Sequence, residues 1–253
     1  MRLPAWVTVT VTTCRGAVRP GNEDSVTALG WIAPAEQRFP VMLSSRAAGP
    51  LVTAVADGLG GHAAGEVASR IAVDMLAAAA PGLGTEDAVR AVIGRIHAEL
   101  LDQAAARPRQ AGMATTLAAV IVTADAVLVA HVGDSRVYYA EEGLLDQLTV
   151  DDAVRGTLAQ CLGGLPSVPM FPHVQALPRD VTARYLICSD GLHGYVARDT
   201  IRDLAAAADP HAAAVALTDA AFAAGAPDNV SLCLVDVPGA GQQEQGEGGS
   251  RGE

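Results

Sequence analysis

Aromatic side chains are scarce: Phe, Trp and Tyr make up 4% of the 253 residues, although half of the sequence is hydrophobic. The core must therefore be largely aliphatic. Alanine fills much of the difference, above all in 62–80, 104–106 and 205–224, and its high helix propensity makes those stretches helix candidates. Basic clusters are missing as well. The formal charge is −11, from 17 basic and 28 acidic residues, and no Lys/Arg-rich block occurs. A nucleic-acid groove or an anionic-membrane patch needs clustered positive charge, so neither partner is expected.

Paired cysteine motifs are also absent. Cys14, Cys161, Cys188 and Cys233 show no CxxC spacing, and Cys188 and Cys233 lie inside apolar runs, as buried thiols do. This usage fits a reducing compartment better than a disulfide scaffold. No signal peptide is expected, because Met1–Pro4 leads straight into the alternating run Trp6–Thr13. No apolar stretch reaches membrane-span length without a charge or glycine. A soluble, cytoplasmic, monomeric protein is the expectation.

Val7-Thr8-Val9-Thr10-Val11-Thr12 alternates strictly and predicts a strand with one apolar and one polar face. Leu51–Ala56 reads as a buried strand ending at Asp57-Gly58. Glycines 58, 60 and 61 then allow a tight turn into a helix over about 67–80, stopped by Pro81-Gly82. Thr85, followed by Glu86 and Asp87, opens a second helix reaching Ala106, with Ala88, Val92, Ile96 and Leu100 on one face. Strands at 115–123, 126–132, 136–140 and 144–149, joined by tight turns, predict an antiparallel meander. Further strands at 183–188 and 230–237 enclose helices at 199–208 and 210–224. Strands and helices segregated in this way favour an α+β architecture of antiparallel sheets with helices packed outside. One domain over 1–238 is expected, followed by a Gly-, Gln- and Glu-rich tail, 239–253, that reads as disordered.

Five acidic motifs stand where these elements begin or end: Asn22-Glu23-Asp24, Asp57-Gly58, Gly133-Asp134-Ser135-Arg136, Ser189-Asp190-Gly191-Leu192 and Pro227-Asp228-Asn229. Carboxylates at strand ends can converge on one rim of a sheet. Crowded carboxylates repel unless cations hold them ionised, so the set points to hard, oxygen-loving metal ions. Singly, each motif has an ordinary explanation. Asp57-Gly58 reads equally well as a Gly-rich turn before a helix, and Asp190-Gly191 and Asp228-Asn229 are common turn pairs. Asp134 could close a hairpin with Arg136 as its ion-pair partner. Arg19, close to Asn22-Glu23-Asp24, is the candidate anion binder, since guanidinium offers a planar fork to phosphate oxygens.

Taken in order, Arg19, Asn22-Glu23-Asp24, Asp57-Gly58-Leu59-Gly60-Gly61-His62-Ala63-Ala64-Gly65-Glu66, Thr115-Thr116-Leu117, Gly133-Asp134-Ser135-Arg136, Leu148-Thr149, Ser189-Asp190-Gly191-Leu192 and Asp228-Asn229-Val230 resemble the protein phosphatase 2C family, in particular its bacterial metal-dependent Ser/Thr members. The resemblance spans about 12–237. It implies a four-layer α-β-β-α sandwich of two antiparallel sheets flanked by helix pairs, with two Mn2+ or Mg2+ ions at one end. Asp57 would bridge both ions, the Gly58 carbonyl would bind one, and Asp190 and Asp228 would complete the set. Glu23 and Asp24 would hold metal-bound waters or support the ligands, and Arg19 would bind the substrate phosphate. The implied reaction is attack of a metal-bridging water on phosphoserine or phosphothreonine of protein substrates, reversing the work of a cognate Ser/Thr kinase. Two other readings stay open: a non-catalytic pseudophosphatase that binds phosphoproteins, and a metallophosphatase acting on small metabolites.

The chain departs from the family in four places. Leu59 stands where the animal members carry a histidine acid, and His62 follows three residues later; a structural role is preferred for it over that of acid. Leu148-Thr149-Val150-Asp151-Asp152 runs almost directly into 155–162 and Gly163-Gly164, so the mobile flap of bacterial members is expected to be deleted. Gly194 replaces the carboxylate that would share a third, weaker metal with Asp134, which argues against a third ion. His193 beside it is expected to face solvent. Ala114 replaces the usual glycine before Thr115-Thr116.

Overall fold

In the computed structural model, which describes residues 6–46, 49–59, 63–154 and 157–239, the opening alternation forms the strand Trp6–Cys14. Val7, Val9 and Val11 point into the space between two sheets. Thr10 and Thr12 face the other way, yet both are buried, and Thr12 Oγ1 meets Thr218 Oγ1 of a covering helix at 3.1 Å. The expectations for Gly60, Gly61, His62, Arg155 and 240–253 lie outside the described residues.

One six-stranded antiparallel sheet runs in the order Leu144–Gln147, Arg136–Glu141, Ala183–Cys188, Val230–Val237, Trp6–Cys14, Gln37–Arg46. A second runs His173–Pro178, Ala126–Val132, Leu117–Val122, Leu51–Ala56, Ser25–Ala28, Trp31–Ile32. Helices α1 (Ala63–Ala79) and α2 (Glu86–Ala106) cover the outer face of the second sheet. Past the single turn α3 (Asp190–His193), helices α4 (Arg198–Ala205) and α5 (Pro210–Ala223) cover the first. The layers are therefore α-β-β-α, as the resemblance implied.

Alternation within single strands builds the layers. In Leu117–Val122, Leu117, Ala119 and Ile121 face α1 and α2, whereas Ala118, Val120 and Val122 face the opposite sheet. Small side chains at Ala64, Ala68 and Ala72 bring α1 close to its sheet. Thr85 caps α2 by accepting the Ala88 N–H at 3.2 Å. The buried stripe of α2 is Val89, Val92, Ile93, Ile96 and Leu100; Val89 takes the place expected for Ala88.

The meander expectation fails. Ala126–Val132 pairs with Leu117–Val122 in one sheet, while Arg136–Glu141 pairs with Leu144–Gln147 in the other. Gly133, at φ +100°, turns the chain between the sheets, and a Cβ there would lie 2.8 Å from Thr116 Cγ2. After Thr149, among the described residues, a minimal hairpin pairs Ala153–Val154 with Thr157–Leu158, before Leu162–Gly163 joins Ala114–Thr115 and Gly58–Leu59 in a small sheet.

Register gathers the acidic motifs at one end. Ser25 lies opposite Ala56, Cys14 opposite Val230, and Cys188 opposite Leu232. Asp24, Asp57, Asp190 and Asp228 thus leave or enter their strands on the same rim.

Candidate metal centre

Asp57 follows the strand Leu51–Ala56, and its backbone is fixed from both sides. Thr116 N–H donates to the Asp57 carbonyl at 2.9 Å, Thr115 Oγ1 donates to it at 2.9 Å, and Asp57 N–H donates to Thr116 Oγ1 at 3.0 Å. Gly58 is where three backbones meet: a Cβ there would fall 2.3 Å from the Gly65 carbonyl oxygen and 2.5 Å from that of Glu23. Only glycine allows this approach.

Asp190 opens the single turn α3 directly after Ala183–Cys188, and Asp228 stands just before Val230–Val237. The Asp190 and Asp57 side chains lie close enough to influence each other's ionisation. Arg19 donates from Nη2 to Asp228 Oδ2 at 2.7 Å while its side chain stays half exposed. Asn229 braces this corner: its Oδ1 accepts the Glu23 N–H at 2.8 Å, and its Nδ2 donates to the carbonyls of Arg15 and Gly21 at 3.1 and 2.9 Å.

Asp24 is buried. Its Oδ2 accepts the Ser189 hydroxyl at 2.8 Å, whereas its Oδ1 has no hydrogen-bond partner among the described residues. Burial, aided by the charges of Asp190 and Asp228, pushes its pKa up to about 7 against the pull of Ser231 and Ser189. Asp57 is raised well above the usual carboxylate range, first by burial and then by Asp24, Asp190, Asp228 and Asp134. Burial, with Asp228 and Asp134, raises Asp190 to about 6. An all-oxygen donor set whose members resist ionising together, with one buried carboxylate oxygen unpartnered, fits hard divalent cations. Glu23 sits against the start of α1: a Cβ on Gly65 would lie 2.3 Å from its Oε2. The N-terminal end of a helix favours that negative charge.

Asp134 is joined to this group electrostatically, since it contributes to the shifts of both Asp57 and Asp190. The ion pair that it could make with Arg136 is not among those of the described residues. Arg136 instead grips Asp151, Nε to Oδ1 at 2.9 Å and Nη2 to Oδ2 at 2.7 Å, and reaches Tyr138 Oη from Nη1 at 2.9 Å. The guanidinium thus faces the loop after Thr149. His193 does not face solvent either. It is half buried with Nε2 3.0 Å from the Asp134 carbonyl oxygen, and burial lowers its pKa to about 4.

Sequence reasoning singled out the carboxylates but missed the hydroxyls that hold them. Ser189, itself held by the Ser231 N–H, orients Asp24, and Thr116 Oγ1 meets Ser135 Oγ at 2.7 Å beneath Asp57. The signal was a small hydroxyl within or beside an apolar strand, as in Val230-Ser231-Leu232.

A profile of the family described as protein phosphatase 2C matches residues 41–224. The serine/threonine protein phosphatase PstP of Mycobacterium tuberculosis is 31% identical over 246 residues, covering 88% of this chain and 43% of that protein. The chain thus spans less than half the length of that relative. The serine/threonine phosphatase stp of Listeria welshimeri is 30% identical over 219 residues, covering 76% of this chain and 80% of the relative. Among solved structures, the catalytic domain of PstP in complex with two manganese ions superposes with a TM-score of 0.77 at 30% identity, over 92% of this chain and 100% of that one.

Proposed function

This chain belongs to the protein phosphatase 2C family, and on that premise we propose that it is a metal-dependent phosphatase for phosphoserine and phosphothreonine in proteins. The observation that carries the reading is the set Asp24, Asp57, Asp190 and Asp228 on one rim, with Asp24 Oδ1 buried and without a partner among the described residues. Two Mn2+ or Mg2+ ions would be held there by Asp57, the Gly58 carbonyl, Asp190 and Asp228, with Asp24 and Glu23 in support. When bound, such ions supply an ionised water near neutral pH and offset charge on the phosphoryl oxygens.

The side chains have separate tasks. Arg19 uses one N–H on Asp228, and its exposed guanidinium keeps further donors for two phosphate oxygens. Its pairing with Asp228 orients that fork beside the carboxylates before substrate arrives. The Thr115–Thr116 clamp on the Asp57 backbone keeps that carboxylate in place while charge builds on the phosphoryl group. Asp134 lacks a carboxylate partner at Gly194, so the proposal keeps two ions.

On this reading the chain acts as a cytoplasmic monomer that dephosphorylates the products of a cognate Ser/Thr kinase. Free cysteines support a reducing compartment, and among the described residues no helix is long and apolar enough to cross a membrane. The test is phosphate release from a phosphothreonine peptide with Mn2+ or Mg2+. Chelation and Asp57→Asn should each abolish turnover in folded protein. Undiminished turnover after both treatments would overturn the proposal, and preference for a sugar phosphate would redirect it to small metabolites.

A further inference from the structure

A second group of metal-binding side chains lies outside the carboxylate set. His131 and His173 are directly opposite each other on the antiparallel strands Ala126–Val132 and His173–Pro178. Directly opposed residues share a face with their Cβ atoms about 5 Å apart, and here the imidazoles stack, with centroids 4.6 Å apart and planes 14° from parallel. Asp152, at the start of the minimal hairpin, completes the group, its Oδ1 3.0 Å from His173 Nε2. One ligand atom from each of the three residues lies within 4.8 Å of the other two.

The surroundings prepare these atoms. His131 is buried, and its Nε2 stands 2.9 Å from the Val150 carbonyl. A carbonyl only accepts, so Nε2 carries the proton and the lone pair is left on Nδ1. Such a backbone partner commonly fixes a ligating histidine. Burial and the neighbouring His173 keep the ring neutral, the form that ligates. Asp152 Oδ2 accepts from the Gly133 N–H at 2.9 Å and from Gln160 Nε2 at 2.7 Å, while Oδ1 accepts from His173 Nε2–H, whose proton a bound ion would displace. His173 is half exposed, and both histidines line an open cavity of about 350 Å³ that gives an ion and a water a way in.

Two imidazoles and one carboxylate form a borderline donor set, unlike the all-oxygen rim, and suit Zn2+ better than Mg2+ or Mn2+. We propose that His131, Asp152 and His173 bind one Zn2+ ion, with a water in the fourth position, and that the ion fastens the segment after Thr149 to the edge of the second sheet. The ion would join residues on both sides of the minimal hairpin to the strand that leads into Gly133-Asp134, close to the carboxylate rim.

The test is calorimetric titration of metal-stripped full-length protein with Zn2+ in excess Mg2+, which occupies hard-oxygen sites. One equivalent should bind to the wild type. His173→Ala, on a half-exposed edge strand, should fold normally and bind at least about ten-fold more weakly. Asp152→Asn should weaken binding in the same direction, whereas Cys161→Ser should leave it unchanged. Co2+ in place of Zn2+ should give the intense visible absorption of a low-coordinate nitrogen and oxygen site, lost in His173→Ala. Equal Zn2+ affinity and stoichiometry in wild type and His173→Ala, or no binding to either, would overturn the proposal.

Discussion

Ser189 donates its hydroxyl to Asp24 Oδ2 at 2.8 Å and accepts the Ser231 N–H at 3.1 Å through the same oxygen. One hydroxyl thus joins a strand end of the first sheet to a carboxylate that enters the second. Ser189→Ala removes a donor from a buried carboxylate whose other oxygen already lacks a partner. The expected loss is about 2 kcal/mol in chemical unfolding, together with weaker Mn2+ binding. A change within about 0.5 kcal/mol, the range of a neutral surface substitution, would show that the contact does not matter.

The same crowding sets a pH dependence. Asp24 and Asp190 have folded-state pKa values raised to about 7 and about 6, against about 4 in an unfolded chain. A raised carboxyl pKa means that the folded state binds the proton more tightly. The stability these groups contribute is therefore complete below about pH 4 and is lost as pH rises through the raised values. Metal-free protein should melt at progressively lower temperature from about pH 5 to about pH 8, and Asp24→Asn should flatten that slope. Mn2+ should restore most stability at the high end, because ions and protons compete for the same oxygens. An identical slope in wild type and Asp24→Asn would sink this account.

Much of the fold was legible where burial imposes a pattern. Leu51–Ala56, Ala183–Cys188 and Val230–Val237 stand where their apolar runs placed them, and Thr85 caps α2 as its sequence foretold. The longer strands that escaped notice lie at sheet edges. Gln37–Arg46 carries Pro40 and leaves Phe39 81% exposed, and His173–Pro178 is half polar and largely open. An edge strand buries too little to impress a period on its residues. The meander failed for another reason: turn chemistry shows that the chain reverses at Gly133 but not which sheet it rejoins. The acidic motifs identified the rim because their order survives in sequence. The His131–Asp152–His173 group did not, since only strand register brings His173 opposite His131.

Glycine geometry gives the sharpest contrast between two single-methyl changes. A Cβ on Gly191 would lie 1.8 Å from the Asn229 carbonyl oxygen, whereas one on Gly84 would meet nothing within 4 Å. Asn229 cannot retreat freely, because its side chain holds Glu23, Arg15 and Gly21 together. Gly191→Ala must therefore push apart the turn carrying Asp190 and the turn carrying Asp228, two of the proposed ligands. Gly84 has no left-handed backbone angle, so alanine fits there and narrows the unfolded ensemble. Gly191→Ala should lose about 3 kcal/mol or more and forfeit Mn2+-dependent phosphate release. Gly84→Ala should be neutral or gain up to about 1 kcal/mol with activity intact. Urea unfolding beside phosphate release separates the two, and a Gly191→Ala protein matching wild type in both would mean that the rim tolerates a displacement its packing forbids.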